Sequence, residues 1–372
     1  MASSFIPINK PIMGDEEVEA VKQVIASGIL TDWRPQGGPM NRRFEECFAS
    51  FIGVRYAVAV SSGSAALHAA LLAAGVKPGD EVIVPAFTFP ATANMVLMAG
   101  AKPVFADIST ETYNIDLESV KKLISARTKA IIPVHLYGLP ADMDPVMELA
   151  EEHGLMVIED AAQAHGAKYK GRYTGTLGHM ACFSFYPSKI ISTGEGGMVT
   201  TNDEELALKL RSIRTHGQVK GFDSKILGHN YRMPEIEAAI GLVQMKRLPG
   251  FLEARRRNAK LLTEGLSDLD ELKLPVEPPG LNHCWYLYTV RLTKRQYLRD
   301  LIVKRLNQAG IGAAIYYETP VPLLPLYSRL RRRSTYLNAI VASRSVFQLP
   351  VHPGVSEEQA LNITKEVKKA LT

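Results

Sequence analysis

The stretch that decides the fold covers residues 56–108 and reads "YAVAVSSGSAALHAALLAAGVKPGDEVIVPAFTFPATANMVLMAGAKPVFADI". Its short apolar runs, "YAVAV" (56–60), "EVIVP" (81–85) and "PVFADI" (103–108), alternate with segments of helical length. The alternation continues through "AIIPVHL" (130–136) and "LMVIED" (155–160). Near-continuous apolar strands separated by helices indicate a mostly parallel sheet with helices on both faces. The pattern therefore predicts an α/β protein.

The C-terminal third of the chain has a different pattern. A long helical segment starts at Pro234 and is expected to break at Pro249-Gly250. A linker-like stretch, "KLPVEPPGLNH" (273–283), precedes the short runs "YTVRL" and "IGAAIYY" and a closing helical segment. We therefore predict a large domain with an N-terminal arm over residues 1–248 and a small α+β domain over residues 249–372.

Composition narrows the class of protein. Hydrophobic residues make up 46% of the 372 positions and charged residues 22%, which is ordinary for a globular protein. No apolar run approaches the roughly 18 residues of a membrane helix, and the N-terminus lacks a secretory pattern, so we expect a cytoplasmic protein without membrane contact. Three widely separated cysteines suggest neither a metal site nor disulfides.

Two basic clusters, "ARRR" (254–257) and "RLRRR" (329–333), accompany a net charge of +5. Neither lies in a recognisable DNA-binding motif or alternates with aromatic residues, so no nucleic acid partner is expected. We interpret both clusters as solvated faces. A site for an anionic small molecule is the alternative.

Polar residues just after the predicted strands are candidates for a ligand site, because ligands bind at the carboxyl ends of parallel strands. The backbone N–H groups of Ser64 and Ala65 open a helix and favour an anion such as phosphate, although capping by Ser62 or Ser64 explains the same residues. Asp160 ends an apolar strand and Gln163 follows it. An acid at that position is either functional or paired structurally.

The segment "CFSFYPSKIISTGEGGMVTT" (182–201) places Lys189 close to three glycines, Gly194, Gly196 and Gly197. An isolated lysine in such a loop is ordinarily a solvated surface residue. Here we expect the small residues to let a flat ligand approach the amine. Ser184, on the β-prone run before Lys189, could reach the same anion or could be a buried serine bonded to backbone.

Pyridoxal 5'-phosphate requires the four features found here: an anion-binding turn, a buried acid, space for a flat ligand and a lysine. Asp160 beside the pyridine nitrogen would raise the pKa of that nitrogen and keep it protonated. The protonated ring is the electron sink of this cofactor. Lys189 would bind the cofactor covalently and, once displaced, act as general acid and base.

Several motifs in order, among them "PVHLYG", "VIEDAAQAHGA", "FSFYPSKIISTGEGGMVTTND" and "NYRMPEIEAAIGLVQ", resemble the DegT/DnrJ/EryC1/StrS sugar aminotransferases over nearly the whole chain. The resemblance implies fold type I of PLP enzymes, with a small C-terminal domain. It also implies a homodimer with shared active sites. The implied cofactor contacts are Ser64, Ala65 and Ser184 on phosphate, Phe89 stacked on the ring, Gln163 on the 3'-oxygen, Asp160 on the pyridine nitrogen, Lys189 as the covalent anchor, and Asn230 reaching the partner subunit's phosphate.

Two of these assignments have structural alternatives. Phe89 could be an ordinary core aromatic residue, and Asn230 could cap the helix that starts near Pro234. The segment "IGAAIYYETPVPLLPLY" resembles the family's substrate loop. Tyr316 and Tyr317 are therefore predicted sugar contacts, with simple packing as the alternative.

The resemblance further implies transfer of an amino group, usually from L-glutamate, to a nucleotide-linked keto-sugar in polysaccharide or deoxysugar biosynthesis. A dehydratase relative carries histidine at the lysine position, so Lys189 favours transamination. The wording "STGEGG" favours C4 of a 4-keto-6-deoxy sugar over C3 of a 3-keto sugar. A PLP-binding regulator without turnover is the second hypothesis. A dinucleotide-binding protein is disfavoured, because these glycines do not open a helix after the first strand.

Overall fold

The computed structural model describes residues 5–330 and 335–372. Arg331, Arg332 and Arg333 of the second basic cluster lie outside the described residues. The helices are α1 (Asp15–Ser27), α2 (Pro39–Ile52), α3 (Gly63–Ala73), α4 (Ala91–Met98), α5 (Leu117–Lys121), α6 (Met143–His153), α7 (Glu204–Arg214), α8 (Glu235–Leu266), α9 (Arg299–Gln308), α10 (Leu337–Ser345) and α11 (Glu357–Leu371).

Fifteen strands complete the regular structure of the described residues, together with short 3₁₀ turns. The strands are β1 (Tyr56–Val60), β2 (Glu81–Pro85), β3 (Lys102–Ala106), β4 (Thr128–Ile131), β5 (Met156–Asp160), β6 (Lys168–Tyr169), β7 (Arg172–Tyr173), β8 (Met180–Ser184), β9 (Gly197–Thr201), β10 (Gln218–Lys220), β11 (Asp223–Ser224), β12 (Leu272–Lys273), β13 (Leu281–Asn282), β14 (Tyr288–Leu292) and β15 (Val346–Leu349).

The central sheet has seven strands in the order β1-β9-β8-β5-β4-β2-β3. The pairs from β8 to β3 are parallel, whereas β9 runs antiparallel to both β8 and β1. Strands β2, β8 and β9 are buried along their whole length, as expected for a sheet with helices on both faces. The mostly parallel α/β sheet predicted from the apolar runs is confirmed.

The observed strands agree closely with the predicted runs, with one informative difference. Strand β4 stops at Ile131, although the apolar run continues to Leu136. Pro133 lacks the N–H group that the next ladder bond requires, so regular pairing ends there. Val134 still forms an isolated bridge with Asp160, which keeps this segment beside the end of β5.

The predicted break at Pro249-Gly250 is wrong, because helix α8 continues from Glu235 to Leu266 with Pro249 inside it. An interior proline costs a helix about 3 kcal/mol through one lost hydrogen bond and a steric clash. Helix α8 contacts α1, α2 and α11. In its first half Gly241 lies against Phe44 of α2, and in its second half Gly265 lies against Thr364 of α11. Burial of both halves offsets the cost of the proline and keeps the helix in one piece.

One hydrophobic cluster is built mainly from residues 259–371, with β12, β14, β15, α9 and α11 around it. Ile6 from the N-terminal arm belongs to this cluster, and its N–H donates to the carbonyl of Gly310. The run "IGAAIYY" forms isolated bridges at Ile311 and Ala314 instead of a strand. The division at residue 248 stays a prediction, and the structure places that position inside α8.

The first basic cluster is a solvated face only in part, and the prediction is wrong for Arg255. Arg255 is only 2% exposed, whereas Arg256 and Arg257 form surface ion pairs with Glu277 and Glu357. Arg255 donates to backbone carbonyls beside the cavity described below. Within residues 5–330 and 335–372, no helix combines the length and the apolar character that a membrane span requires.

Candidate active site

A cavity of about 380 Å³ lies at the ends of β1, β2, β5 and β8. This size suits a small ligand or cofactor. Turns after the strands provide most of its wall, and residues 286, 316 and 317 provide the rest. The lining includes Ser62, Gly63, Ser64, Thr88, Phe89, Asp160, Gln163, Ser184, Tyr186, Ser188, Lys189, Glu195, Tyr286, Tyr316 and Tyr317.

Lys189 lines this cavity and is half-buried, so the alternative of a solvated loop lysine does not describe it. Its backbone N–H donates to the carbonyl of Tyr186 at 2.8 Å, which closes a turn just after β8. The amine lies 4.9 Å from the centre of the Tyr286 ring. Asp160 lines the same cavity, so the structure brings together the two groups that sequence reasoning paired.

The glycines near Lys189 serve a different purpose from the one predicted. A Cβ on Gly197 would lie 2.3 Å from the carbonyl oxygen of Ser62, and a Cβ on Gly196 would lie 2.5 Å from Thr193 Oγ1. Gly194 and Gly196 also have positive φ angles of 89° and 143°. These residues let the backbone pack and turn; the cavity is lined instead by Glu195 between them.

Asp160 faces the cavity at the end of β5 and is 6% exposed. Its Oδ2 accepts a hydrogen bond from the Thr92 hydroxyl at 2.8 Å, and its Oδ1 accepts from the N–H of Ala162 at 3.2 Å. Burial raises the pKa of this carboxyl above its usual range. A cationic group placed beside Asp160 would therefore be strongly favoured. Thr92 was missed by sequence reasoning, although it follows the turn after β2.

Glu159 points to the opposite face of the sheet, because successive side chains of a strand alternate. One of its carboxylate oxygens accepts from Gly175 N–H and pairs with His135 Nε2, each at 2.8 Å. The other oxygen accepts from the N–H groups of Leu177 and Gly178 at 2.8 Å. Of the two adjacent acids, Glu159 is the structurally paired one and Asp160 is the one in the cavity.

The turn after β1 holds the N-terminus of α3 against the end of β8. Ser62 is the N-cap, and its hydroxyl accepts from the N–H of Ala65 at 3.0 Å. The N–H of Ala65 is therefore engaged, and Ser64 and Ser184 are the predicted phosphate contacts that line the cavity. A Cβ on Gly63 would lie 2.6 Å from Ser184 Cβ, so glycine is required for this close approach.

Gln163 presents a donor to the cavity. Its Oε1 accepts from the backbone N–H of Tyr137 at 2.7 Å, which fixes the orientation of the amide. Its Nε2 therefore points the other way and donates to the Tyr317 hydroxyl at 3.0 Å. A donor at this position suits an anionic phenolic oxygen. The carbonyl of Tyr316 in turn accepts from the Tyr137 hydroxyl.

Phe89 is 57% exposed and its ring centre lies 6.1 Å from that of Tyr317. It lines the cavity, so it is not an ordinary core aromatic residue. Asn230 is exposed and lies outside the cavity lining of this chain. It does not cap α8, because Pro234 is the N-cap. The role predicted for Asn230 requires a second subunit and stays a prediction.

The residues around the cavity fit pyridoxal 5'-phosphate. Serine hydroxyls at a helix N-terminus suit a phosphate, the Gln163 amide suits a phenolate oxygen, and the buried Asp160 carboxylate suits a pyridinium. Lys189 supplies the amine that an aldehyde requires. In the described part of the chain, no three His, Cys, Asp or Glu side chains are grouped to hold a metal ion.

Glu195 and Tyr286 also belong to the cavity but were missed by sequence reasoning. Glu195 stands within the quoted "STGEGG" motif, so its position beside Lys189 was a usable signal. Tyr286 lies 97 residues after Lys189 in the chain. No local pattern could have placed its ring over the lysine.

Comparisons with known proteins show the family of the chain. The model of the DegT/DnrJ/EryC1/StrS aminotransferase family matches residues 11–368. The chain is 43% identical to a GDP-perosamine synthase of Caulobacter vibrioides, covering 88% of this chain and 89% of that protein. It is 42% identical to a UDP-N-acetyl-3-dehydro-alpha-D-glucosamine 3-aminotransferase of Acidithiobacillus ferrooxidans, covering 90% and 89% of the two chains.

Among solved structures, DesV of S. venezuelae superposes with a TM-score of 0.92 at 36% identity and covers 99% of this chain and 98% of its own. The likeness extends over nearly the whole chain, and the fold predicted by resemblance is confirmed. The protein belongs to the DegT/DnrJ/EryC1/StrS aminotransferase family and is a pyridoxal phosphate-dependent sugar aminotransferase.

Proposed function

We propose that the protein transfers an amino group from L-glutamate to C4 of a nucleotide-linked 4-keto-6-deoxy sugar. The observation that carries the aminotransferase chemistry is the placement of Lys189 and Asp160 on one cavity. The preference for C4 over C3 rests on the "STGEGG" motif alone, and two similar proteins carry a 3-amino activity or product in their names. A 3-keto sugar is therefore the alternative acceptor.

The proposed residue roles follow from the contacts at the cavity. Ser64 and Ser184 bind the phosphate at the N-terminus of α3, together with the backbone at Ala65. Gln163 donates to the 3'-oxygen, and Phe89 covers one face of the ring. Bound at these residues, the cofactor supplies an electron sink to the substrate carbon.

Asp160 and Lys189 act on protons. Asp160, desolvated and already hydrogen-bonded to Thr92, holds a proton on the pyridine nitrogen. The amine of Lys189 anchors the cofactor and, when free, moves a proton to and from the substrate carbon. Tyr316 and Tyr317, both on the cavity wall, are proposed to contact the sugar.

The same proposal includes a homodimer in the cytoplasm. Asn230 lies outside the cavity of its own chain, which supports a role at the phosphate of a second subunit. Sedimentation of the wild-type protein measures the assembly. An Asn230→Ala variant tests the role of the side chain, because weaker cofactor binding in an intact dimer is expected.

A panel of nucleotide-linked 4-keto and 3-keto sugars, incubated with L-glutamate and analysed by the mass and linkage of the aminated product, tests the acceptor. Amination at C4 supports the proposal, and amination at C3 alone contradicts it. Lys189→Ala is expected to abolish turnover. A wild-type protein that binds the cofactor but is never converted to the pyridoxamine form by any amino donor would support the regulator hypothesis instead.

A further inference from the structure

Tyr286 faces the amine of Lys189 with its ring, and its hydroxyl is engaged elsewhere. The amine lies 4.9 Å from the ring centre, within the range of a cation–π interaction. The Tyr286 hydroxyl and the Ser188 hydroxyl are 3.0 Å apart and share a hydrogen bond. Tyr286 is only 4% exposed, so its own ring is largely shielded from solvent.

The backbone that carries Tyr286 is held by a buried arginine. Nη1 of Arg255 donates to the carbonyl of Trp285 at 3.0 Å and to the carbonyl of Tyr286 at 3.1 Å. Trp285 has a φ of 55°, an uncommon conformation for a bulky residue. Two donated bonds from one rigid guanidinium fix this turn and therefore the direction of the Tyr286 side chain.

Arg255 has no acidic partner among the residues that the structure describes. Burial lowers the pKa of its guanidinium to about 10, so the group remains charged at neutral pH. A buried cation without a carboxylate is costly, and here backbone carbonyls are its acceptors. An apolar side chain of similar volume would fill this space equally well. The presence of a charged guanidinium at this position therefore indicates a role beyond packing.

We propose that Arg255 is a positioning residue for Lys189: it fixes Tyr286 so that the aromatic ring receives the Lys189 ammonium whenever that amine is free. The proposal rests on the proposed role of Lys189 as the anchor that is displaced and then moves a proton. A ring face attracts the charged amine but cannot take its proton, because it offers no lone pair of a base. The amine is thus kept near the substrate carbon without forming an ion pair with Asp160.

The test uses the full-length protein freed of cofactor, with acetic anhydride as the probe of the Lys189 amine. Only the neutral amine is acetylated, and the Lys189 peptide is quantified by mass spectrometry. Tyr286→Leu removes the ring, whereas the matched control Tyr286→Phe keeps the ring and removes the hydroxyl. Near neutral pH we expect Tyr286→Leu to be acetylated about threefold to tenfold faster than wild type, and Tyr286→Phe to match wild type.

The pH dependence separates charge from access. At a pH high enough to deprotonate all lysines, the rates of wild type and Tyr286→Leu are expected to converge, because the ring acts on the charged form. A ratio near one at neutral pH would overturn the proposal. A ratio that stays the same at high pH would also overturn it, because the ring would then only block the reagent.

Arg255 is tested with Tyr286 intact. Arg255→Met and the more conservative Arg255→Lys both lose the two bonds from a rigid guanidinium, so each is expected to accelerate acetylation of Lys189 near neutral pH. If a folded variant of Arg255 is acetylated at Lys189 at the same rate as wild type, Arg255 is not a positioning residue. The assay needs neither cofactor nor sugar, so its result is independent of whether the protein aminates any of the keto-sugars.

Discussion

Replacing Glu159 by glutamine is expected to destabilise the protein strongly, although the two side chains have nearly the same shape. The carboxylate of Glu159 is fully buried and accepts four hydrogen bonds. An amide can accept at one end only. Whichever way the amide of the Glu159→Gln variant turns, its NH₂ group must face two donors.

The orientation of His135 makes this conflict unavoidable. Its Nδ1 accepts from the N–H of Ala141 at 3.0 Å, so Nε2 carries the proton that is donated to Glu159. If the new NH₂ faced His135, it would meet this donor and the N–H of Gly175. If it faced the other way, it would meet the N–H groups of Leu177 and Gly178.

Each orientation loses two hydrogen bonds and leaves two buried donors unpaired. An unsatisfied buried donor costs about 1–3 kcal/mol, so the two unpaired donors of Glu159→Gln should together lower the free energy of unfolding by about 2–6 kcal/mol. Urea denaturation of the cofactor-free protein measures the change. Glu205→Gln is the matched control, because the Glu205 side chain is 78% exposed and forms a surface ion pair with Lys209. Its effect should stay below about 0.5 kcal/mol. A loss under about 1 kcal/mol for Glu159→Gln would refute the hydrogen-bond reasoning.

Three further changes test the site. Asp160→Asn should stabilise the cofactor-free protein at neutral pH, because the raised pKa of Asp160 means that folding disfavours its charged form. The gain in stability should shrink on acidification. Thermal melts over a pH series measure it, and a variant less stable than wild type at neutral pH would contradict the prediction. Gly63→Ala places a Cβ 2.6 Å from Ser184 Cβ, so we expect a stability loss of about 1–3 kcal/mol and weaker binding of the cofactor. Absorbance titration measures the binding, and an affinity equal to that of wild type would contradict the close approach. Burial, with the nearby charge of Glu195, raises the pKa of Glu237 to about 7, so the stabilising contribution of Glu237 is complete in acid and is lost as the pH rises through 7. The stability of Glu237→Gln in thermal melts should therefore depend less on pH over this range, and parallel pH profiles of variant and wild type would contradict this.

Local patterns in the sequence predicted the strands and the residues at their ends. The end of an apolar strand identified Asp160, and the β-prone run before Lys189 identified Ser184. Alternation of side chains along β5 separates Asp160 from Glu159, but the sequence alone leaves open which of the two faces a ligand. Only the observed contacts of Glu159 with backbone N–H groups decide that question.

Features that depend on distant contacts were not predictable in the same way. Pro249 is a helix breaker by local rules, yet burial on both sides keeps α8 intact. Arg255 reads as part of a solvated basic cluster, but the fold buries it beneath the turn at Trp285. Gly197 was interpreted as space for a ligand, whereas it is required by the approach of the Ser62 backbone.

The covalent binding of pyridoxal 5'-phosphate by Lys189 in this cavity is the central claim, and borohydride trapping tests it most directly. The protein is incubated with pyridoxal 5'-phosphate, reduced, digested and mapped by mass spectrometry, with and without L-glutamate before reduction. We predict one pyridoxyl label, on the peptide that contains Lys189, and its loss after glutamate has converted the cofactor to the pyridoxamine form. Labels spread over surface lysines, or an unlabelled Lys189, would contradict the account.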